Sequence, residues 1–317
     1  MNKKHYKNPL VIFLTGPTAV GKTQLSIELN KYLPINIISV DSGLVYKTLD
    51  IGTGKPTKNE LLQVPHQLIN IKDPTENYSA GEFKKDSLKA IQNSINDNRI
   101  PILVGGTMLY FKVLLDGLAL LPVSNITLRK KLIKESRSVG STAIHKKLSL
   151  IDPIAANRIH PNDLQRIIRA LEVYLISGKT LTELISTTKV DFPYTVLTLV
   201  LLPDSNIYLN KKIELRFNNM LDKGFQYEVE NLLNRGDLNI NLNAIRRIGY
   251  VQMWKFLLND LSYNQMIQQS LSATRQLAKH QMTWLKKWTN AHYINYSNVT
   301  QCVHHILMLL KKHCNLF

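Results

Sequence analysis

Eight residues, GPTAVGKT at 16–23, restrict what this chain can fold into more than any other stretch. They fit G-x-x-x-x-G-K-S/T, in which glycines let backbone N–H groups close around phosphate oxygens, the lysine adds positive charge and the hydroxyl binds a metal ion. Lys22 and Thr23 take the last two roles. Such a loop needs a buried strand before it and a helix opening after it. Both flanks comply: LVIFLTG at 10–16 is continuously apolar, and TQLSIELNKYL has helical spacing until Pro34 stops it. The motif predicts phosphate binding. It leaves open whether the ligand is a nucleoside triphosphate, ATP being the usual one, or a bare diphosphate.

INIISVD at 35–41 and IPILVGG at 100–106 are two more buried-type runs, each followed by polar or glycine residues. Strands alternating with helices predict an α/β fold: a P-loop-type parallel sheet flanked by helices, with ligands beyond the carboxyl ends of the strands. Gly16, Asp41 and Gly105 should therefore line one crevice. From Val123 to Asp191 the segments SNITLRKKLIKES, AIHKKLSLI and NDLQRIIRALEVYLISG read as helices without clear strands. TVLTLVLLP at 195–203 then returns to the sheet, and the remainder reads as helix. The expected organisation is a core from 1–122 and 192–317 with an all-helical insertion at 123–191.

Asp41 ends the second strand, where a carboxylate suits two tasks. It could hold a metal as a Walker B residue does, or act as a base on a nucleophile facing the phosphates, and spacing does not choose between them. The third strand ends in Gly105-Gly106-Thr107, where nucleoside triphosphatases often carry an acidic metal ligand, and this argues against ATP hydrolysis. The glycines permit close backbone approach. Thr107 offers a hydroxyl, and Tyr110 either faces the site or packs inside a tight turn. DPTENYSAGEF at 73–83 reads as a loop leading into a helix.

Net charge is +17, from 40 Lys and Arg against 23 Asp and Glu, which favours polyanionic partners, nucleic acid first. Arginines cluster at Arg166 and Arg169, at Arg246 and Arg247, and at Arg275. In HPNDLQRIIRALE, Asn162 can cap a helix with Gln165, Arg166 and Arg169 on one face and Ile167, Ile168 and Leu171 toward the other. In TRQLAKHQMTWLKKW, Arg275, Lys279 and Lys286 form a stripe set against Leu271, Leu277, Trp284 and Trp288; such a stripe can track a nucleic-acid backbone. Other classes are disfavoured. The apolar stretch PILVGGTMLYFKVLLDGLALL is broken by Gly105, Gly106, Lys112 and Asp116, so no membrane span is expected. The N-terminus has no signal-peptide core, and Cys302 and Cys314 have neither disulfide nor zinc spacing. A cytoplasmic protein is expected, with the Cys/His-rich tail an amphipathic helix.

In order along nearly the whole chain, GPTAVGKT, DSGLVYKTLDIGTGKP, DPTENYSAGEF, GGTMLY, HPNDLQRIIRALE, RFNNMLDKGFQYEV, RRIGYVQMW and TRQLAKHQMTWLKKW closely resemble the tRNA dimethylallyltransferase (tRNA isopentenyltransferase) family in its bacterial form. The resemblance implies transfer of a dimethylallyl group from dimethylallyl diphosphate to N6 of the adenosine 3′-adjacent to the anticodon, in tRNAs reading codons that start with U. Gly16, Pro17, Thr18, Ala19, Val20, Gly21, Lys22 and Thr23 would hold the diphosphate, with Mg²⁺ at Thr23. Asp41 matches the general base, Thr107 a residue near the acceptor, and Arg216 an arginine important for turnover. Contacts to the anticodon stem-loop of tRNA would come from Asp41, Ser42, Gly43 and Leu44; from Thr107 and Arg129; and from Gln165, Arg166, Ile167, Ile168 and Arg169. Arg246, Arg247, Ile248, Gly249, Tyr250 and Val251 would add to them, as would Lys279, His280, Gln281, Met282, Thr283, Trp284, Leu285 and Lys286. Many members carry Lys or Arg at Val251, Arg at His280, and Ala at Gly43 and Gly54. The zinc-finger extension of eukaryotic members is missing, and a monomer is expected. The rival readings are an adenylate isopentenyltransferase, a P-loop small-molecule kinase, and a non-catalytic RNA-binding protein. The basic charge, RRIGYVQ and the C-terminal basic helix favour tRNA over free nucleotide.

Overall fold

The structure is a computed structural model that describes residues 8–119, 121–187 and 192–314. The chain begins β1 (Leu10–Thr15), α1 (Lys22–Leu29), β2 (Ile35–Val40), α2 (Lys58–Gln63), β3 (His66–Gln67), α3 (Ala80–Asn96), β4 (Ile100–Gly105) and α4 (Met108–Asp116). Five helices follow: α5 (Ile126–Val139), α6 (Ser141–Ile151), α7 (Pro153–Arg158), α8 (Leu164–Ser177) and α9 (Leu181–Ser186). The chain then forms β5 (Thr195–Pro203), α10 (Asn206–Asp222), α11 (Phe225–Asn234), α12 (Tyr250–Leu257), α13 (Tyr263–Leu285), β6 (Ala291–Tyr296) and α14 (Val299–Cys314). Two compact units result, Met1–Phe111 with Pro193–Phe317, and Lys112–Phe192.

The first unit is the expected parallel sheet with flanking helices, in the order β3-β2-β4-β1-β5-β6. β1 is central, and Val11, Ile12, Phe13 and Leu14 are fully buried because helices cover both faces. This is why the strand reads as an unbroken apolar run rather than an alternating one. On one face Ile12 and Leu14 join Leu25 of α1 and Ile306 and Leu310 of α14. On the other, Phe13 meets Phe111 of α4 at 5.0 Å between ring centroids.

Register aligns the strand ends that matter. Gly105 lies opposite both Thr15 of β1 and Val40 of β2, so the loops after β1, β2 and β4 leave the sheet at one level. A side chain at Gly105 would collide with the Val40 carbonyl, so this alignment requires glycine. The chain order reverses at β1, between β4 and β5. That is the switch point at which ligands settle in open α/β sheets.

Three sequence expectations change. An edge strand, β6, lies in a segment read as helix, and a short strand, β3, lies in a segment the sequence left unassigned. In β6 only Ile294 and Tyr296 are buried, too few apolar residues to stand out among the surrounding helices. On α8 the N-cap is Asp163, not Asn162, and its carboxylate accepts from the Arg166 N–H. On α13 the buried face comprises Met266, Ser270, Leu271, Ala278, Gln281 and Leu285, while Leu277 and Trp284 are 38% and 46% exposed. At about 100° per residue, Leu277 and Trp284 fall near the angle of Met266, at the margin of the buried arc, where a side chain is only partly covered.

The second unit has its own core of Leu132, Ile144, Leu148, Ile167, Ile168 and Leu171. Asp152 caps α7 through the Ala155 N–H and accepts two hydrogen bonds from Thr182, fastening α9 to α7.

Candidate active site

The phosphate loop is ready for an anion. Gly21 caps α1 at φ 115°, no side chain among the described residues makes a capping hydrogen bond there, and no acidic residue lies in its first turn. The free N–H groups and the positive end of the helix dipole are therefore left for a ligand. A side chain on Gly21 would also strike the Tyr296 ring, 2.6 Å from the position of its Cβ. Lys22 folds back onto the loop and donates to the carbonyls of Gly16 at 2.9 Å and Pro17 at 2.7 Å. Burial lowers its pKa to about 7; the Asp41 charge opposes this shift and Arg216 adds to it. Thr23 is exposed in the first turn of α1, and its hydroxyl has no protein partner among the described residues.

Asp41 opens the facing wall. Its Oδ1 accepts the Gly43 N–H at 2.7 Å, and its other oxygen has no protein donor among the described residues. Thr107 joins the same wall: its Oγ1 accepts the Ser42 N–H at 3.1 Å and its own N–H donates to the Val40 carbonyl at 3.2 Å. Arg247 reaches in from the loop before α12 and donates to Ser42 Oγ at 2.7 Å. Arg247 Nε is buried with no hydrogen-bond partner among the described residues. Asp41, Thr107 and Arg247 are thus gathered around Ser42.

Arg216 projects from α10 and donates to the Thr53 carbonyl at 2.9 Å. Its guanidinium fills the space where Gly54 would carry a side chain, and Gly54 has φ 63°. Glycine rather than alanine at 54 suits this packing and this backbone. Burial lowers the Arg216 pKa while the Asp41 charge raises it, so Asp41 acts on cationic groups from both the loop and α10.

Sequence reasoning missed two bracing carboxylates, one in each compact unit. Glu228 on α11 accepts the N–H groups of Asp50, Ile51 and Gly52 at 2.9, 2.7 and 3.1 Å, and the Tyr250 hydroxyl at 2.6 Å. It fixes the turn that presents Thr53 to Arg216. Glu228 lies inside RFNNMLDKGFQYEV, so an acidic residue was visible there, but its partners were not. Glu172, in the helical unit, is fully buried and binds Arg129 Nε at 3.0 Å, Arg169 Nη1 at 2.6 Å and the Asn125 N–H at 2.7 Å. Arg169 also donates to the Pro122 carbonyl at 2.8 Å.

The residues expected to contact nucleic acid divide by exposure. Gln165, Arg166, Arg246, Lys279, His280, Thr283, Trp284 and Lys286 are exposed. Ile167, Ile168, Tyr250 and Leu285 are buried and support their neighbours from below. Ser42, Leu44, Ile248, Val251 and Met282 are half-buried, while Gly43 and Gly249 are buried. Gln281 points inward, 8% exposed. Arg275 pairs with Glu214 at 3.3 Å. Tyr110 packs inside, stacked on Phe83 at 4.1 Å between centroids.

Among the described residues no three His, Cys, Asp or Glu side chains gather to hold a metal, and no helix is long and apolar enough to cross a membrane. The geometry offers an anion cradle facing a carboxylate with an open oxygen, and a basic surface on the same unit.

Comparison with known proteins agrees with this chemistry. Residues 44–288 match the family described as IPP transferase. The chain is 53% identical over 307 residues to the tRNA dimethylallyltransferase of Buchnera aphidicola subsp. Acyrthosiphon pisum (strain APS), covering 96% of this chain and 97% of that one. Among solved structures it resembles the tRNA isopentenylpyrophosphate transferase of Bacillus halodurans with a TM-score of 0.70 and 32% identity, over 98% and 99% of the two chains. A eukaryotic dimethylallyltransferase acting on tRNA superposes with a TM-score of 0.78 at 27% identity, over 97% of this chain and 79% of the other.

Proposed function

The chain belongs to the IPP transferase family, and we propose on that premise that it moves a dimethylallyl group from dimethylallyl diphosphate to N6 of the adenosine directly 3′ of the anticodon in tRNA. The product is N6-(dimethylallyl)adenosine, in tRNAs reading codons that start with U. The observation that carries this reading is the pairing of an uncapped phosphate loop with Asp41, whose charge acts on Lys22 and Arg216 from the facing wall. A donor diphosphate and an acceptor amine are what such a crevice would hold.

An exocyclic adenine amine is a poor nucleophile, so it must be held in line with the allylic carbon while the departing diphosphate is stabilised. The loop N–H groups, Lys22 and Arg216 supply the second requirement. Asp41 accepts the amine N–H through its open oxygen and takes the proton as the C–N bond forms and the C–O bond to diphosphate breaks. Thr107 holds the Ser42 N–H and so sets the backbone that carries Asp41. The target base must leave its stack in the anticodon loop to reach the crevice.

The exposed Thr23 hydroxyl suits Mg²⁺, which would take it together with oxygens of the diphosphate, the sparse set of protein and phosphate ligands that this ion prefers. When bound it neutralises charge on the leaving group. The stem would rest on the exposed residues Arg246, Lys279 and Lys286, and on Gln165 and Arg166 of the helical unit.

Incubating the protein with labelled dimethylallyl diphosphate and Mg²⁺ plus either tRNA or AMP, beside an ATP control, tests the reading. Label in tRNA alone is expected. Label in AMP would make the enzyme an adenylate isopentenyltransferase, and phosphate transfer from ATP would make it a kinase.

A further inference from the structure

One buried side chain braces the phosphate loop from outside and takes no part in the transfer chemistry. Gln281 of α13 accepts the Thr18 N–H through Oε1 at 2.9 Å and donates from Nε2 to the Gly106 carbonyl at 2.8 Å. Its amide therefore ties the loop after β1 to the turn after β4, so both walls of the crevice meet at one group. The turn is shaped to fit: a Cβ at Gly106 would lie 2.6 Å from Gln281 Nε2. Both ends of the amide are used, and a buried amide stripped of its partners is costly. The bridge thus holds one arrangement of loop and turn.

The rest of that helix turn faces the other way. Lys279, His280 and Thr283 flank Gln281 in sequence and are exposed. One rigid turn of α13 therefore presents polar and basic groups outward and grips the phosphate loop inward.

We propose that Gln281 is a positioning residue that couples the two substrates: RNA seated on the exposed face of α13 changes the affinity of the loop for a diphosphate through the Gln281 bridge. This rests on the proposed function, which puts RNA on that face. The coupling acts equally in both directions, so a bound diphosphate changes RNA affinity by the same factor.

The test uses the full chain, inorganic pyrophosphate as probe and a synthetic anticodon stem-loop as RNA. Pyrophosphate affinity is measured with and without saturating stem-loop for wild type, Gln281→Met and Gln281→Glu. Wild type is expected to show a coupling factor of about fivefold or more. Gln281→Met, which loses both bonds, is expected to bring the factor to about one. Gln281→Glu keeps its size and the Thr18 bond but sets an oxygen against the Gly106 carbonyl; it is expected to lose most of the factor and serves where the Met variant does not fold. A folded variant that retains the wild-type factor overturns the inference, as does a wild-type factor of one. Wild type that binds neither pyrophosphate nor stem-loop overturns the proposed function itself, a distinct result.

Discussion

The protonation of Lys22 is governed by its burial in the phosphate loop. Burial brings its pKa from 10.5 to about 7, so between those values the folded protein holds fewer protons at this group than the unfolded chain. Stability from this group therefore rises with pH across that window, and below pH 7 the cost of burying the charge is felt in full. Lys22→Met removes the group, so without Mg²⁺ the variant is expected to melt higher than wild type at pH 6, with the gap narrowing steadily as pH rises through the window toward 10.5. A gap independent of pH would rule out the buried charge as its source. At Asp41 the expectation is kinetic. Asp41→Asn keeps an oxygen for the Gly43 N–H but cannot take a proton, and single-turnover transfer should fall about 100- to 10,000-fold. Full activity would remove Asp41 from the base role. Both residues were legible in the sequence because their chemistry is local: Lys22 sits in a contiguous motif, and Asp41 ends a readable strand. Gln281 and Glu228 were not legible as braces, because their partners lie 263 and up to 178 residues away.

Among the elements, the turn at residues 50–53 closes on itself through the Gly54 N–H to the Ile51 carbonyl at 2.8 Å and the Lys55 N–H to the Asp50 carbonyl at 3.0 Å, and is held from outside as well. Three successive N–H groups converge on the Glu228 carboxylate, an anion nest occupied by the protein's own side chain. The next residue, Thr53, gives its carbonyl to Arg216. Glu228→Gln replaces one acceptor oxygen with a donor facing donors and should cost about 1–3 kcal/mol of stability. Because the turn also sets Arg216, transfer should slow more than tRNA affinity weakens. Tyr250→Phe removes only the hydroxyl that binds Glu228 and should cost about 1 kcal/mol. Melting curves beside kcat and KM check both, and equal losses in kcat and tRNA affinity would separate the turn from Arg216. The same long-range dependence explains which elements escaped the sequence. β1, β2, β4 and β5 are apolar on both faces and announce themselves, whereas β6 buries two side chains and exists because β5 offers it an edge. The structure also shows capping boxes at Ser79 and Thr180, local signals that sequence reasoning did not use.

For the whole molecule, the net charge of +17 predicts attraction to any polyanion, and the structure narrows which charges are free to act. Arg275 is partly committed to Glu214, and Arg129 and Arg169 are held by the buried Glu172, so sequence clusters overstate the number of mobile cations. Lys279 and Lys286 are exposed on the solvent side of α13, as is Arg246 ahead of α12. Each phosphate contact in the stem contributes a slope of about 0.9 to the dependence of log affinity on log salt, or about 0.7 in a single-stranded loop. Replacing Lys279 and Lys286 together with alanine should lower the slope for tRNA by about 1.5 and weaken binding at low salt more than at high salt. Replacing Arg275 should change the slope less than either lysine, because its removal also frees Glu214, and should lower stability instead. Binding titrations from 50 to 300 mM salt, on the order of the range over which counterion release is read, distinguish these outcomes. An unchanged slope in the double lysine variant would mean that α13 does not touch the RNA backbone, which would leave Gln281 bracing the loop with no RNA on the outer face of its helix.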